Sequence, residues 1–531
     1  MFEILLLLGL VLLTKYIIDY GYKNENYFKE KGIKYLQPTF IFGNSANLFV
    51  RKKPILDFFK DAYRAFPDEK IMGMFEFRTP FVVLRDPQLV KQLAVKEFDH
   101  FTDHRSVITT DADPIFGKSL IALKGNEWRD MRATLSPAFT GSKMRLMFEL
   151  VSECAKQMAM FINEETKAKG IQSYEMKEFF SRMSNDIIAT CAFGIQVNSL
   201  KNQDNEFYTK GKEMMSFTSP LRLIKFLLFM AMPKLFGLLK VKLIPESLTG
   251  YFTNAIINAI AYREKNNIVR PDMINLLMEA KKGNLSHQTI DRTDSEGFAT
   301  VEESQIGKQE GKKGLSEDEI LAQCFLFFLA GFETVSVATS FLSYELAINP
   351  DVQEKLYQEI IETNEELGEK SLNYDTIQKM KYMDMVVSEL LRIWPPAIAT
   401  DRLCTKEIVL EYGEGQKYKF NKGDYLMVPM IGFHHDPQYF PNPNKFDPER
   451  FSDGNKHNIV PGTYLPFGVG PRNCIGSRFA LMEMKALIYY ILLNFKIEPN
   501  EKTQIPLKLS KEPAMKTEKG IWVQLTPRSK V

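Results

Sequence analysis

The hydrophobic pattern of the chain opens with an apolar run long enough to cross a membrane. Residues 2–18, FEILLLLGLVLLTKYII, would form about 26 Å of helix at about 1.5 Å per residue, which suits a thin bilayer core. No basic stretch precedes the run and no small-residue cleavage site follows it, so an uncleaved anchor is favoured over a signal peptide. Lysines follow from Lys15 onward, which places the carboxyl side in the cytosol. We therefore expect residues 1–20 to be a transmembrane anchor and residues 21–531 a cytosolic domain.

A second apolar stretch and a polar stretch lie in the middle of the chain. Residues 221–245 are largely apolar but contain four lysines and Pro233. They indicate either two short helices that dip into a membrane surface or ordinary core helices, and the pattern leaves both open. Residues 281–315 hold few large apolar side chains, which predicts a long surface loop.

The longest helical pattern follows this polar stretch. Ser316 and Glu319 have the spacing of a capping box. Apolar positions then continue to residues 349–350, Asn-Pro, where one helix can end and the next can begin. The pattern predicts about 32 residues of helix, or about 48 Å at about 1.5 Å per residue, which is enough to cross a whole domain.

Within this helix, the sequence AGFETV at residues 330–335 interrupts the apolar pattern. Gly331 in a helix interior costs about 1 kcal/mol relative to alanine, and Glu333 and Thr334 are polar among apolar neighbours. Either another group approaches the backbone at Gly331, or two helices cross there beside a solvated glutamate. The residues alone leave both interpretations open.

Composition and charge exclude several classes of function. The 531 residues include 68 basic and 66 acidic side chains, a net charge of +2, without a long basic run, so nucleic acid is not an expected partner. A hydrophobic fraction of 45% indicates a globular chain. The five cysteines are odd in number, widely spaced and without a CxxC pair, which argues against a disulfide framework or a zinc site; they are Cys154, Cys191, Cys324, Cys404 and Cys474.

Two charged motifs predict contacts between distant segments. In SELLRIWPP, Glu389 and Arg392 lie three residues apart on a helix that the following proline pair ends. In FDPERF, Arg450 is a candidate third member of a buried network. Such a network costs about 3 to 5 kcal/mol to break when one partner is removed.

The stretch PFGVGPRNCIGS, residues 466–477, surrounds Cys474 with glycine and proline. It matches the F-x-x-G-x-R-x-C-x-G haem-ligand loop of the cytochrome P-450 superfamily at every specified position. The other motifs follow that superfamily's order, with W-x-x-x-R at residues 128–132, then A-G-x-E-T, E-x-x-R, P-E-R-F and the cysteine loop. From about residue 30 to its end the chain resembles this superfamily, and it looks most like the insect detoxifying branch related to the vertebrate drug-metabolising members.

The resemblance implies a mainly α fold with a smaller β-rich subdomain, in which residues 21–531 form a catalytic domain that binds haem b. Cys474, as a thiolate, would ligate the haem iron. Glu389, Arg392 and Arg450 would form a structural network behind the haem. Other positions implied to hold the haem are Trp128, Arg132, Gly331, Arg402, Phe467, Arg472, Gly476 and, by a looser match, His104.

The same resemblance assigns the AGFETV positions to oxygen activation. Gly331 would let dioxygen approach the helix, and Glu333 and Thr334 would be the acid–alcohol pair that relays protons. Val335 departs from the Thr or Ser that often follows this pair, and Ser336 is the next hydroxyl. The implied substrate pocket is mostly apolar and is lined by Phe116, Ile121, Phe325, Phe328, Ala397 and Ile398.

The function implied by the resemblance is insertion of one oxygen atom from dioxygen into lipophilic substrates, either xenobiotics or endogenous lipids. Electrons would come from NADPH through NADPH–cytochrome P-450 reductase, with cytochrome b5 as a further candidate donor, because the chain has no nucleotide fingerprint. The anchor implies the endoplasmic reticulum membrane. Two alternatives stay open: a haem-thiolate isomerase or dehydratase that acts on peroxides, and a non-catalytic haem protein that binds lipophilic molecules.

Overall fold

The computed structural model describes residues 2–49, 51–105, 113, 115–215, 222, 224–225, 228, 242, 244–285, 297–309, 311, 314–512 and 514–528. Most of residues 221–245 lies outside these ranges, so the choice between their two interpretations stays open. The described part is mainly helical and contains three small sheets, which confirms the predicted fold class.

Helices form the larger part of the regular structure. Those of nine or more residues are α1 (Phe2–Tyr22), α2 (Ile55–Arg64), α3 (Gly125–Leu135), α4 (Gly141–Lys169), α5 (Met176–Ala192), α6 (Glu206–Met215), α7 (Glu246–Asn266), α8 (Met273–Lys281), α9 (Glu317–Ile348), α10 (Pro350–Leu367), α11 (Lys381–Ile393) and α12 (Ser477–Asn494). Shorter helical segments are Tyr27–Glu30, Ala46–Phe49, Pro87–Lys91, Gln92–Lys96, Phe98–His100, Phe116–Lys118, Ser136–Phe139, Tyr374–Lys379, Met430–His434, Pro448–Phe451 and Lys456–Asn458.

The strands form three separate sheets at the edges of the helical part. They are β1 (Ile71–Glu76), β2 (Thr79–Leu84), β3 (Gln172–Glu175), β4 (Thr400–Leu403), β5 (Ile408–Gly413), β6 (Gln416–Phe420), β7 (Tyr425–Val428), β8 (Phe495–Glu498) and β9 (Trp522–Pro527). The four-stranded sheet has the order β1-β2-β7-β4, in which only the β2–β7 pair is parallel. The order β3-β9-β8 forms a second sheet and the hairpin β5-β6 a third.

α9 is the long helix of the main hydrophobic core. The Ser316 hydroxyl accepts a hydrogen bond from the Glu319 N–H, and the Glu319 carboxylate accepts one from the Ser316 N–H, so the capping box forms. Asn349 follows its last residue and Pro350 opens α10, which confirms the predicted bounds. The helix is long and apolar enough to span a membrane, but 61% of its apolar window is buried, as in a core helix.

α1 is also apolar, but its side chains have few protein neighbours. Only 6% of its apolar window is buried, and Leu5, Leu8 and Leu12 are each more than half exposed. Contact with the rest of the protein comes at its end, where the rings of Tyr22 and Phe40 have centroids 5.5 Å apart. An exposed apolar helix of this length is compatible with a membrane anchor.

Glu389 lies at the centre of a buried network on α11. Its carboxylate accepts hydrogen bonds from Nε and Nη2 of Arg392 at 2.7 and 2.8 Å, and both side chains are fully buried. The Asp447 N–H donates to the same carboxylate at 2.9 Å, and Arg450 Nε donates at 3.4 Å. Arg392 also donates to the carbonyl of His434 at 2.7 Å. The structure therefore brings together the three residues that the sequence motifs paired, and their contacts join α11 to the segment around residue 447.

Replacing Glu389 by glutamine is expected to destabilise the fold strongly, because Arg392 would keep its charge in a buried site without a counter-charge. We expect a loss of about 3 to 5 kcal/mol in the free energy of unfolding, measured by denaturant titration of the full chain. The matched control is Glu407→Gln, since the Glu407–Lys419 ion pair is exposed and is worth about 0 to 1 kcal/mol. Equal effects of the two substitutions would contradict a structural role for the network.

Candidate active site

A cavity of about 440 Å³ lies between α9 and the cysteine loop, which we define as residues 466–476. Its lining is mostly apolar. The α9 side chains that face it are Leu326, Phe327, Ala330, Gly331, Thr334, Val335 and Ala338, and the cysteine loop contributes Pro466, Phe467, Gly468, Arg472, Asn473, Cys474, Ile475 and Gly476. The structure therefore places the two strongest sequence motifs in the lining of one cavity.

The backbone of the cysteine loop fixes the position of Cys474. The Cys474 N–H donates to the carbonyl of Phe467 at 2.9 Å, which closes the loop. Gly468 and Gly470 have φ of +81° and +71°, a region in which side chains are strained, and a Cβ on Gly470 would also collide with the carbonyl oxygen of Ala94. α12 begins at Ser477, so Cys474 lies just before a helix N-terminus, where a negative charge is stabilised.

The Cys474 sulphur is exposed to the cavity although the residue lies deep in the fold. Burial raises the pKa of its thiol, while a hydrogen bond from the Gly476 N–H and the positive charge of Arg132 act in the opposite direction. Binding of a metal cation would favour the thiolate further, because a coordinated thiol loses its proton. Cys191 also lines the cavity, but it is only 1% exposed and burial raises its thiol pKa well above the usual value.

Buried cations lie at one end of the cavity. The Arg472 guanidinium stacks on the ring of Trp128, 4.0 Å from its centroid, and donates to the carbonyls of Thr102 and Leu123 at 2.7 and 2.8 Å. Burial lowers the pKa of Arg472 to about 9. It also lowers the pKa of the neighbouring Arg402, to about 10. Arg472 Nη2 also donates to the Asp103 carboxylate at 3.4 Å, so part of the Arg472 charge is balanced within the protein.

Arg402 and His104 lie beside this cluster. Arg402 Nη2 donates to the carbonyl of Val469 in the cysteine loop at 2.6 Å, while its Nε is buried without a partner among the described residues. Nδ1 of His104 lies 3.1 Å from the carbonyl and from a carboxylate oxygen of Asp401. Burial lowers the His104 pKa, which favours the neutral ring. His104 and Trp128 line the cavity, whereas Arg402 does not reach its lining.

Arg132 also lines the cavity, but its guanidinium has protein partners that the motifs did not predict. Nη2 donates to the Glu303 carboxylate at 2.7 Å and to Oδ1 of Asn473 at 2.8 Å, and Nη1 donates to the Asn473 carbonyl at 2.8 Å. Glu303 belongs to the stretch predicted to be a polar surface loop. The apolar residues Phe298, Ala299 and Ile306 in that stretch are the signal that could have indicated its packing against the core.

Thr334 and Glu333 have different surroundings on α9. Thr334 faces the cavity and its hydroxyl donates to the Ala330 carbonyl at 2.6 Å. Glu333 is outside the cavity lining, and its carboxylate accepts from Nζ of Lys177 at 3.1 Å. Ser336, the next hydroxyl along α9, also accepts from Lys177 at 3.1 Å and does not line the cavity. The acid and the alcohol are therefore adjacent in sequence but not in contact.

Gly331 lies at a close contact between two helices. A Cβ at this position would overlap the Cδ1 atom of Ile188 on α5, which packs along α9. Gly331 also lines the cavity. The contact between α5 and α9 thus favours a small residue at this position, and the same residue borders the cavity.

Two phenylalanines of α9 that the sequence predicts in the pocket lie outside the lining of this cavity. Phe325 and Phe328 are buried on the side of α9 that contacts α7, where the Phe328 ring lies 4.7 Å from that of Phe252. Leu326 and Phe327 line the cavity instead. Successive side chains of a helix point about 100° apart, so the neighbours of a residue that faces the cavity can face the hydrophobic core instead.

The remaining predicted pocket residues divide evenly. Ile121 and Ala397 line the cavity, with Ala399 and Thr400 beyond them. Phe116 and Ile398 are not part of its lining. The Ile398 carbonyl instead accepts a hydrogen bond from the Ile431 N–H at 3.0 Å, which ties this segment to the short helix Met430–His434.

The residues present suit a haem bound through a thiolate. A sulphur opens into an apolar cavity, and at one end of that cavity lie buried cations that can bind the propionates of such a group. The partnerless Nε of Arg402 is a donor of the kind that a propionate would satisfy. The fold and the site are therefore those of a helical protein with an N-terminal apolar helix and a cavity that could hold a haem through a thiolate.

Comparison with known proteins identifies the family. The profile of the family Cytochrome P-450 matches residues 34–525. Probable cytochrome P-450 9f2 of Drosophila melanogaster is 45% identical over 514 residues, which cover 95% of this chain and 96% of that protein. Cytochrome P-450 9e2 of Blattella germanica is 42% identical over 98% of this chain and 97% of its own length. Cytochrome P-450 6k1 of the same species is 34% identical over 96% of this chain and 94% of its own length. The chain belongs to the cytochrome P-450 family and is a haem monooxygenase that uses a redox partner and lipophilic substrates.

The two faces of α9 predict opposite effects of two alanine substitutions. Phe327→Ala should change the affinity for lipophilic ligands, because its ring lines the cavity beside Phe139. Phe328→Ala should instead lower the free energy of unfolding by about 3 to 5 kcal/mol and leave ligand affinity nearly unchanged, because its ring is fully buried in the aromatic core. Optical ligand titration and denaturant unfolding of both variants test this, and the reverse pattern would contradict the assigned faces.

Proposed function

We propose that this chain is an NADPH- and reductase-dependent monooxygenase that inserts one oxygen atom from dioxygen into lipophilic xenobiotics or endogenous lipids. The observation that carries the proposal is the Cys474 sulphur opening into an apolar cavity whose facing wall contains Thr334. Haem b, when bound, would supply the chemistry of oxygen activation, which no side chain can provide. The protein's share is ligation, orientation, exclusion of water and proton delivery.

We propose that Cys474 would ligate the haem iron, with Phe467 and Gly476 holding the loop around it. The Phe467 carbonyl fixes the Cys474 backbone and Gly476 precedes the first residue of α12. We assign Trp128, His104 and the arginines Arg402 and Arg472 to the propionates of haem b, because they supply donors in the cavity lining or, for Arg402, beside the cysteine loop. Arg132 contributes less to this role, since Glu303 and Asn473 already occupy most of its donors.

Proton delivery is proposed to run along α9. With its hydrogen donated to Ala330, Oγ1 of Thr334 presents lone pairs to the cavity and can accept a hydrogen bond there. Glu333 and Lys177 are both partly exposed and can exchange protons with solvent. Val335 offers no hydroxyl, so we propose that rotation of the Glu333 side chain or water connects the pair to Thr334.

The substrate class follows from the lining of the cavity. Leu326, Phe327, Ile121 and Ala397 offer apolar surface with few polar groups, which suits lipophilic molecules recognised by shape. We propose a detoxifying role on this basis. Turnover assays with a panel of lipophilic compounds would identify the specific substrates.

The membrane and partner assignments complete the proposal. Residues 1–20 would anchor the protein in the endoplasmic reticulum membrane, and residues 21–531 would form one cytosolic catalytic domain. The exposed apolar side chains of α1 support this arrangement. NADPH–cytochrome P-450 reductase is proposed as the electron donor, with cytochrome b5 as a second candidate donor.

Replacing Cys474 by serine tests the proposed ligand. A hydroxyl is a poor iron ligand because its proton is held far more tightly than that of a thiol. The Cys474→Ser protein is expected to lose the thiolate-type spectrum of the reduced carbon monoxide complex and the monooxygenase activity. Cys191→Ser is the control within the same cavity and should retain the spectrum. Retention of the spectrum in Cys474→Ser would show that another residue ligates the iron.

Thr334→Ala tests the proposed proton path. Removing the hydroxyl should leave substrate affinity nearly intact, while product formed per NADPH falls and the diverted electrons reduce dioxygen to hydrogen peroxide. The full loss of such a relay is about 10²- to 10⁴-fold, and water in place of the hydroxyl would reduce it. NADPH, peroxide and product are measured together, with Ser336→Ala as the control that does not reach the cavity. Uncoupling in the control but not in Thr334→Ala would transfer the relay to Ser336.

A further inference from the structure

Residues 297–309, which we name the strap, cross the outside of the cysteine loop instead of extending into solvent. At its start, the Phe298 ring packs against the rings of Phe451 and Tyr464, with centroids 5.1 and 5.4 Å away. The Phe298 N–H donates to the Asp384 carboxylate on α11 at 2.8 Å. Ala299 and Ile306 are buried in the main core. The strap is therefore a packed element of the fold on both sides of Glu303.

Glu303 binds Arg132, whose guanidinium contacts Asn473, the residue next to Cys474. Its carboxylate accepts from Arg132 Nη2 at 2.7 Å and from Nε at 3.2 Å. The Ser136 hydroxyl donates to it at 3.1 Å. The two side chains of the ion pair are 3% and 17% exposed, so water screens their charges little. Glu303 thus neutralises much of the Arg132 charge inside the protein.

A short chain of contacts links Glu303 to Cys474. Arg132 donates to both the carbonyl and the side-chain oxygen of Asn473 at 2.8 Å. The Asn473 side chain donates to the Glu302 carbonyl of the strap at 3.3 Å. Asn473 directly precedes Cys474, and the Arg132 charge acts on the Cys474 sulphur. A carboxylate in a loop remote in sequence therefore controls a cation beside the proposed ligand.

We propose that Glu303 is a positioning residue that offsets the Arg132 charge and thereby keeps the reduction potential of the Cys474-ligated haem low. The proposal rests on the proposed ligation by Cys474. Reduction adds one electron to the iron site, from the redox partner or from dithionite, and a nearby positive charge stabilises the reduced form. Removing the Glu303 charge leaves Arg132 uncompensated, so the potential should become more positive.

The test is the midpoint potential of the full-length holoenzyme, measured by dithionite titration with the haem absorption as readout. Glu303→Gln, which keeps the shape and removes the charge, should shift the potential in the positive direction while the thiolate-type carbon monoxide spectrum persists. Glu303→Asp keeps the charge and should restore a potential close to that of the unsubstituted protein. Glu302→Gln is the matched control, because its side chain is exposed and only its carbonyl contacts Asn473.

A second variant displaces the carboxylate without removing it. A Cβ on Gly307 would overlap the Glu303 carboxyl group, so Gly307→Ala should move Glu303 away from Arg132 and shift the potential in the same direction. Should Glu303→Gln fail to fold, Gly307→Ala decides the question. The unsubstituted protein must first show the thiolate-type spectrum. If a folded Glu303→Gln or Gly307→Ala protein then has an unchanged midpoint potential, the proposed role of Glu303 is overturned, while ligation by Cys474 is not. Absence of the thiolate-type spectrum in the unsubstituted protein would instead overturn ligation by Cys474 and the strap proposal with it.

Discussion

The structure depends on one constraint: the Cys474 sulphur must lie in the lining of an apolar cavity and still be able to carry a negative charge. Burial alone favours the neutral thiol, and the pKa of Cys474 is raised for this reason. Three features oppose this effect of burial and favour the thiolate: the Gly476 N–H, the N-terminus of α12 and the Arg132 guanidinium. The tight loop that brings them together needs Gly470, whose backbone no other residue could adopt without colliding with Ala94.

The arginines around this cavity have different partners, and the difference gives them different roles. Arg392 is fully paired with Glu389 and joins distant segments of the fold. Arg472 and Arg402 donate mainly to neutral carbonyls, and the Asp103 carboxylate also accepts from Arg472 at 3.4 Å. Arg132 lies between these cases, because Glu303 offsets its charge from outside the cysteine loop.

Features encoded locally could be predicted from the sequence. The bounds of α9 follow from the Ser316–Glu319 capping box and the proline that opens α10, and the structure confirms them. Which side of α9 faces the cavity could not be predicted, because the helix is apolar on most of its circumference and periodicity distinguishes only apolar from polar faces. The Glu303–Arg132 pair spans 171 residues and leaves no local signal beyond a few apolar residues in a polar stretch.

Iron K-edge X-ray absorption of the purified, detergent-solubilised full-length protein in its ferric state tests the central claim most directly. Cys474 opens into the cavity as a single exposed thiol, so the account predicts one sulphur neighbour of the iron at the short distance of a thiolate. A first shell that contains only nitrogen and oxygen would contradict it.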